Sequence, residues 1–108
     1  MLDKKRFKEL IQERINSEGL IEAGDTTAWD NLAKFLSADI AASIDFLEHE
    51  CLPDDIYWVS EVFDDIARKT QSKDFIAAIH RIYDKMPENV KETMEVDIRS
   101  AEQAIDGD

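Results

Sequence analysis

The chain has 108 residues, of which 44% are hydrophobic and 35% charged, so we expect one folded domain, residues 1–108, and not a disordered chain. Thirteen basic residues stand against twenty-five acidic ones, and the formal net charge of −12 excludes ordinary binding to nucleic acids or anionic membranes. The single cysteine excludes an internal disulfide, and no apolar run reaches the roughly 20 residues that cross a bilayer, so we expect a cytoplasmic protein.

Helical periodicity dominates the first half of the chain. A helix over about residues 3–16 is predicted by apolar residues at i, i+3, i+4 and i+8, namely Phe7, Leu10, Ile11 and Ile15. Residues 20–25 have no such period and are predicted to form a connector. Thr26 or Thr27 can then cap helical sequence that extends to about residue 50. It forms either one bent helix or two helices divided near Ser37.

The second half is also helical in its pattern. Pro53 suits the first turn of a helix that we expect to end near residue 69. Ser72 can cap the next helix, and Pro87 begins a last one whose apolar residues continue to Ile105. The brief alternation over residues 94–98 leaves a short strand as the alternative there. Short connections between amphipathic helices predict an all-α bundle of five or six helices.

The acidic charge is concentrated in the middle of the chain. Residues 1–16 carry five basic and three acidic groups, a net of +2. Residues 17–67 carry thirteen acidic groups and one basic group, a net of −12, and residues 68–108 carry seven basic and nine acidic, a net of −2. Like charges brought together repel one another. The concentration is either a solvated face or a docking surface for a basic partner.

No enzymatic or metal-binding motif stands out. The segment Glu48-His49-Glu50-Cys51 is the only local cluster of such side chains, and its His49 and Cys51 are two residues apart, which places them on different sides of a helix. The sequence contains neither a glycine-rich phosphate loop nor a nucleophile elbow. We predict a protein that is not an enzyme and that has no catalytic residues, metal or cofactor. A small thiol-dependent or metal-dependent enzyme is the minor alternative.

The helix that begins at Pro53 has an unusual polar side. On a helical wheel its apolar stripe lies opposite a side that carries two aromatic residues among four carboxylates. Aromatic anchors with carboxylates around them are typical of surfaces that bind a cationic partner. We expect Tyr57 to be exposed and Trp58 to be at least half buried. The predicted partner-binding residues are Asp54, Tyr57, Trp58, Glu61, Asp64 and Asp65.

The segment from Asp54 to Ser72, followed by Phe75, resembles small immunity proteins of bacterial contact-dependent growth inhibition and related polymorphic toxin systems. The resemblance covers residues 52–105. It implies a non-enzymatic inhibitor that binds the C-terminal toxin domain of a cognate effector in a 1:1 complex. That domain is typically a nuclease, and its cleft is basic because it binds a polyanion. The alternative is a helical adaptor or regulatory protein that binds another basic protein.

Overall fold

The computed structural model describes residues 2–106, and these residues form helices and no strand. The helices are α1 (Lys4–Asn16), α2 (Glu18–Glu22), α3 (Thr27–Ser37), α4 (Ile40–His49), α5 (Pro53–Val59), α6 (Phe63–Thr70), α7 (Lys73–Lys85) and α8 (Glu88–Ala104). A 3₁₀ turn over Ser60–Val62 joins α5 directly to α6. Counted with that run as one unit, the described residues contain seven helices. The all-α prediction is confirmed, and the expected number of helices, five or six, was too low by one or two.

In three segments the structure corrects a sequence prediction or selects one of two alternatives. The predicted connector at residues 20–25 overlaps a short helix, α2. Residues 27–50 form two helices, because the Asp39 carboxylate accepts a hydrogen bond from the Ala42 N–H at 3.2 Å and starts α4. The alternating segment 94–98 lies inside α8 and is helical.

The helix ends follow ordinary capping chemistry. Asp3 caps α1 through the Arg6 N–H at 3.0 Å, and Ser72 caps α7 through the Phe75 N–H at 3.0 Å. At the end of α6, Gln71 takes the left-handed conformation with φ 51°. Its side chain reaches the end of α8 and accepts a hydrogen bond from the Asp106 N–H at 2.7 Å.

The core is built around α6, which packs against both α8 and α3. Two pairs of phenylalanine rings meet edge to face within it. The rings of Phe7 and Phe46 are 4.8 Å apart between centroids, and those of Phe63 and Phe75 are 5.7 Å apart. The molecule measures 36 × 30 × 28 Å. Within residues 2–106, each helix is too short or too polar to cross a bilayer.

Candidate protein-binding surface

The basic first helix lies against the acidic middle of the chain. Three cations on α1 form ion pairs with three carboxylates in or beside the α5–α6 run: Lys4 with Glu50, Lys8 with Asp55, and Arg14 with Glu61. The partners advance together along the two segments, so α1 and α5 run in the same direction. The net charge of −12 counted for residues 17–67 is therefore partly neutralised by the residues that precede it.

The pair at the end of this ladder is the most deeply placed. Arg14 Nε and Nη2 donate to the two oxygens of Glu61 at 2.6 and 2.8 Å, and Nη1 donates to Glu18 at 3.0 Å. The guanidinium carbon lies 5.5 Å from the ring centroid of Trp29 and 4.9 Å from that of Trp58. Trp29 Nε1 also donates to Glu61 at 3.0 Å. The arrangement joins α1, α3 and the α5–α6 run through a charged pair held between indole rings.

The contacts of Arg14 give two of the predicted partner-binding residues, Trp58 and Glu61, a structural role inside the protein. Glu61 directs its carboxylate to Arg14 and Trp29, so it holds helices together. Trp58 is more than half buried, as expected, and packs against the core with Arg14 over its ring. Asp65, another residue of the predicted set, forms an ion pair with Arg68 one turn along α6.

The other predicted residues keep their side chains open to a partner. Tyr57 is 39% exposed, as expected, and its ring meets that of Trp58 edge to face at 5.1 Å. Asp54 is exposed and Asp64 is partly exposed. Neither carboxylate has an ion-pair partner within the described part of the chain. Tyr57 is thus an aromatic side chain on a surface that carries uncompensated negative charge.

Helix α8 adds a carboxylate that the sequence did not reveal. The pKa of Asp97 is raised to about 6, chiefly by burial; the nearby Ser60 side chain opposes the shift, and the charges of Glu61 and Asp64 add to it. Asp97 follows Val96, whose side chain is 63% exposed. An acidic residue on the flank of an amphipathic helix is common, so nothing in the sequence marked Asp97 as a neighbour of Asp64.

We call Asp54, Tyr57, Trp58, Asp64 and Asp97 the acidic–aromatic face. It is formed by the α5–α6 run and α8, which pack against each other. Three of its residues are carboxylic acids without an ion-pair partner within residues 2–106, and two are aromatic. Such a surface can attract a cationic protein and then bury the exposed ring of Tyr57 against it.

The side chains on which thiol-dependent or metal-dependent chemistry would depend are Cys51 and the two histidines. Burial, together with the charge of Asp55, raises the pKa of the Cys51 thiol to about 12, although Lys8 lowers it, so the thiolate is scarce at neutral pH. Among residues 2–106 no group of three or more His, Cys, Asp or Glu side chains is arranged to hold a metal ion. His49 is exposed and lies 3.9 Å from Asp45.

No protein-family model, curated protein or solved structure matches this chain. Its residues 2–106 form an acidic all-α fold with an exposed aromatic residue among carboxylates that have no ion-pair partner within that range.

Proposed function

We propose that the protein is an immunity protein that binds and neutralises a cognate toxin domain with a basic, nuclease-type cleft. The observation that carries the proposal is the acidic–aromatic face, where Tyr57 is exposed beside carboxylates that have no cation of their own within residues 2–106. The binding would be non-enzymatic and would need no cofactor.

The internal ion pairs support this proposal. The chain has enough lysine and arginine on α1 to neutralise Glu50, Asp55 and Glu61. Asp54 lies on the same helix as Asp55 and has no such partner in the described residues. A surface that only needed to be soluble would gain stability from a cation there, since like charges repel. Leaving carboxylates uncompensated is useful when a partner supplies the positive charge.

The chemistry of the partner follows from the same charges. A cleft that binds the phosphates of RNA or DNA is lined by lysine and arginine side chains. Carboxylates that approach such a cleft speed the encounter and compete with the phosphates of the substrate. Tyr57 would then lose its solvent-exposed area against the toxin and slow dissociation, as buried aromatic residues do in other interfaces.

The proposal is tested with the protein domain encoded next to this chain, which we expect to be a basic toxin domain. We expect a 1:1 complex in which nuclease activity is lost, and an association rate that falls at least tenfold as salt is raised, since steered association depends on unscreened charge. Tyr57→Ala should mainly speed dissociation, by about tenfold to a hundredfold for an anchor worth 1.4–2.8 kcal/mol. Absence of a complex even at low salt would contradict the proposal.

The control separates the local surface from the net charge. The double variant Asp54→Lys with Asp64→Lys should slow association strongly. Glu22→Lys with Asp84→Lys changes the net charge by the same amount at exposed positions on α2 and α7. If both double variants slow association equally, the partner senses the total charge and the acidic–aromatic face is not the interface.

A further inference from the structure

A groove between α4 and α7 lies outside the acidic–aromatic face. Its volume is about 350 Å³, and its floor is formed by Ile40, Ala41 and Ile44 of α4 and by Ala77 of α7. Ala41 and Ala77 are exposed, and the two isoleucines are partly exposed. The groove is therefore an apolar strip that no other element of residues 2–106 covers.

The charges along this strip have an internal symmetry. Asp74 and Arg81 both line the groove, and they are seven residues apart on α7, about 10.5 Å or two turns. Ala77 lies near the midpoint between them. When a second α7 lies antiparallel across the first, Asp74 of each copy faces Arg81 of the other. The same patch then matches itself, which is the requirement for a two-fold interface.

Arg81 is oriented by Glu48 and still has N–H donors that can bind Asp74 of a second copy. Its Nε donates to Glu48 at 3.0 Å, and its Nη2 also binds that carboxylate. Its Nη1 has no hydrogen-bond partner within the described residues. A guanidinium has five N–H donors, so the bond to Glu48 orients the side chain without exhausting it.

We propose that the α4–α7 groove is the interface of a two-fold symmetric dimer of this chain. A second copy places the Asp74 carboxylate opposite the remaining Nη1 donors of Arg81 at both ends of the groove, whereas a partner with charge of one sign makes a favourable contact at one end only. The small side chain of Ala77 allows the two α7 helices to approach closely, and Ile40 and Ile44 add apolar contact area. The interface uses no residue of the acidic–aromatic face, so it is independent of toxin binding.

Sedimentation equilibrium tests the proposal at about 0.15 M NaCl, where repulsion between the two acidic molecules is screened beyond about 8 Å. With rising concentration the mass should increase from 12.4 kDa toward twice that value. Asp74→Arg and Arg81→Asp should each abolish the increase, because each places like charges opposite one another. An equal mixture of the two variants restores both opposite-charge contacts and should associate again. A constant mass of 12.4 kDa for the wild type would overturn the proposal.

Two further variants guard against loss of the fold. Arg81→Asp places a carboxylate beside Glu48, so its helix content is checked by circular dichroism. Ala77 is exposed, so Ala77→Glu leaves the core unchanged while it blocks the centre of the interface, and it should also prevent the mass increase. Glu22→Arg changes the charge as much as Asp74→Arg does, at an exposed site on α2, and should leave dimerisation unchanged. Dimerisation that survives Ala77→Glu, or that is lost in Glu22→Arg, would refute the proposed interface.

Discussion

Arg14 is a charged residue placed where an apolar one would be expected. Its side chain is only 5% exposed, yet it is fully engaged by Glu61, Glu18 and two indole rings. A guanidinium suits this position because it is planar, stacks on aromatic rings and binds a carboxylate through two parallel hydrogen bonds. A lysine would keep the charge and lose that geometry.

We expect replacement of Arg14 to destabilise the fold. Arg14→Ala leaves Glu61 without its cation and should lower the free energy of unfolding by about 2–3 kcal/mol, less than for a fully buried pair because Glu61 is partly exposed. Arg14→Lys should have about half that effect. Urea unfolding measures both. Arg6→Ala, which removes an exposed arginine with two glutamate partners, is the control and should cost much less. Equal losses would show that the cluster does not hold the helices together.

Asp97 should make stability depend on pH in the opposite direction to most carboxylates. Its pKa is raised in the folded protein, to about 6 from 3.8, so folding favours the protonated form. The folded state therefore loses stability as the pH rises from about 4 to about 6 and stays lower above that range. The shift would correspond to about 3 kcal/mol, and partial exposure to solvent reduces our expectation to about 1 kcal/mol.

Asp97→Asn tests this linkage, because the amide can still accept a hydrogen bond and carries no charge. The variant should be more stable than the wild type by about 1 kcal/mol at pH 7 and equally stable at pH 4, as measured by urea unfolding. Asp54→Asn makes the same change in charge at an exposed site and serves as the control. A variant that is no more stable at pH 7 would contradict the assignment.

At the scale of elements, Gln71 fastens the end of α8 to the end of α6. Its Nε2 donates to the carbonyl oxygens of Arg68 and Ala104 at 3.1 and 3.0 Å, and its Oε1 accepts from Asp106 N–H. The backbone of Gln71 has φ 51° in this geometry, which is a strained conformation for a residue with a side chain. The hydrogen bonds to α8 offset that strain.

Gln71→Gly relieves the strain and removes the side-chain bonds at the same time. We expect little change in global stability, since about 1 kcal/mol is gained and a similar amount is lost. The local effect should be clear: hydrogen exchange at the amides of Ile105 and Asp106 should become faster, and exchange within α6 should not. Gln71→Ala keeps the strain and loses the bonds, so it should be the less stable variant of the two. Unchanged exchange at residues 105 and 106 would show that Gln71 does not restrain α8.

The helices could be predicted because the signals for them lie within each segment. The contacts between helices could not, because they join residues far apart in the sequence. Apolar spacing and Pro53 correctly placed a helical run from 53 to about 70, but they did not indicate its 3₁₀ turn. There the Ser60 hydroxyl donates to the Tyr57 carbonyl oxygen at 2.9 Å, a bond that competes with regular helical geometry. The wheel placed Glu61 on an open side of the helix. Its partner, Arg14, is 47 residues away in the chain, and no local pattern connects the two.

At the scale of the whole molecule, counting charges by sequence segment gave the correct net charge. It did not show which of those charges pair with one another in the fold. The basic α1 neutralises part of the acidic middle. Within the described residues, carboxylates without an ion-pair partner include Asp54, Asp64 and Asp97 of the acidic–aromatic face, and others lie elsewhere, among them Glu22, Asp25, Asp30 and Asp39. The prediction that the middle of the chain carries the binding surface stays a prediction. The surface on which that prediction now rests, the acidic–aromatic face, lacks Glu61 and Asp65 of the predicted set and gains Asp97 from α8.

Salt should therefore change folding and binding in opposite directions. Repulsion among the excess of twelve negative charges acts over long distances and is screened efficiently, whereas the internal ion pairs act at short range and are screened less. Raising salt should increase the melting temperature, as measured by circular dichroism, and should slow association with the basic toxin domain. The Asp54→Lys, Asp64→Lys variant should show a smaller salt effect on both quantities. A melting temperature that falls with salt would mean that the ion pairs of α1 outweigh the repulsion of the excess charge.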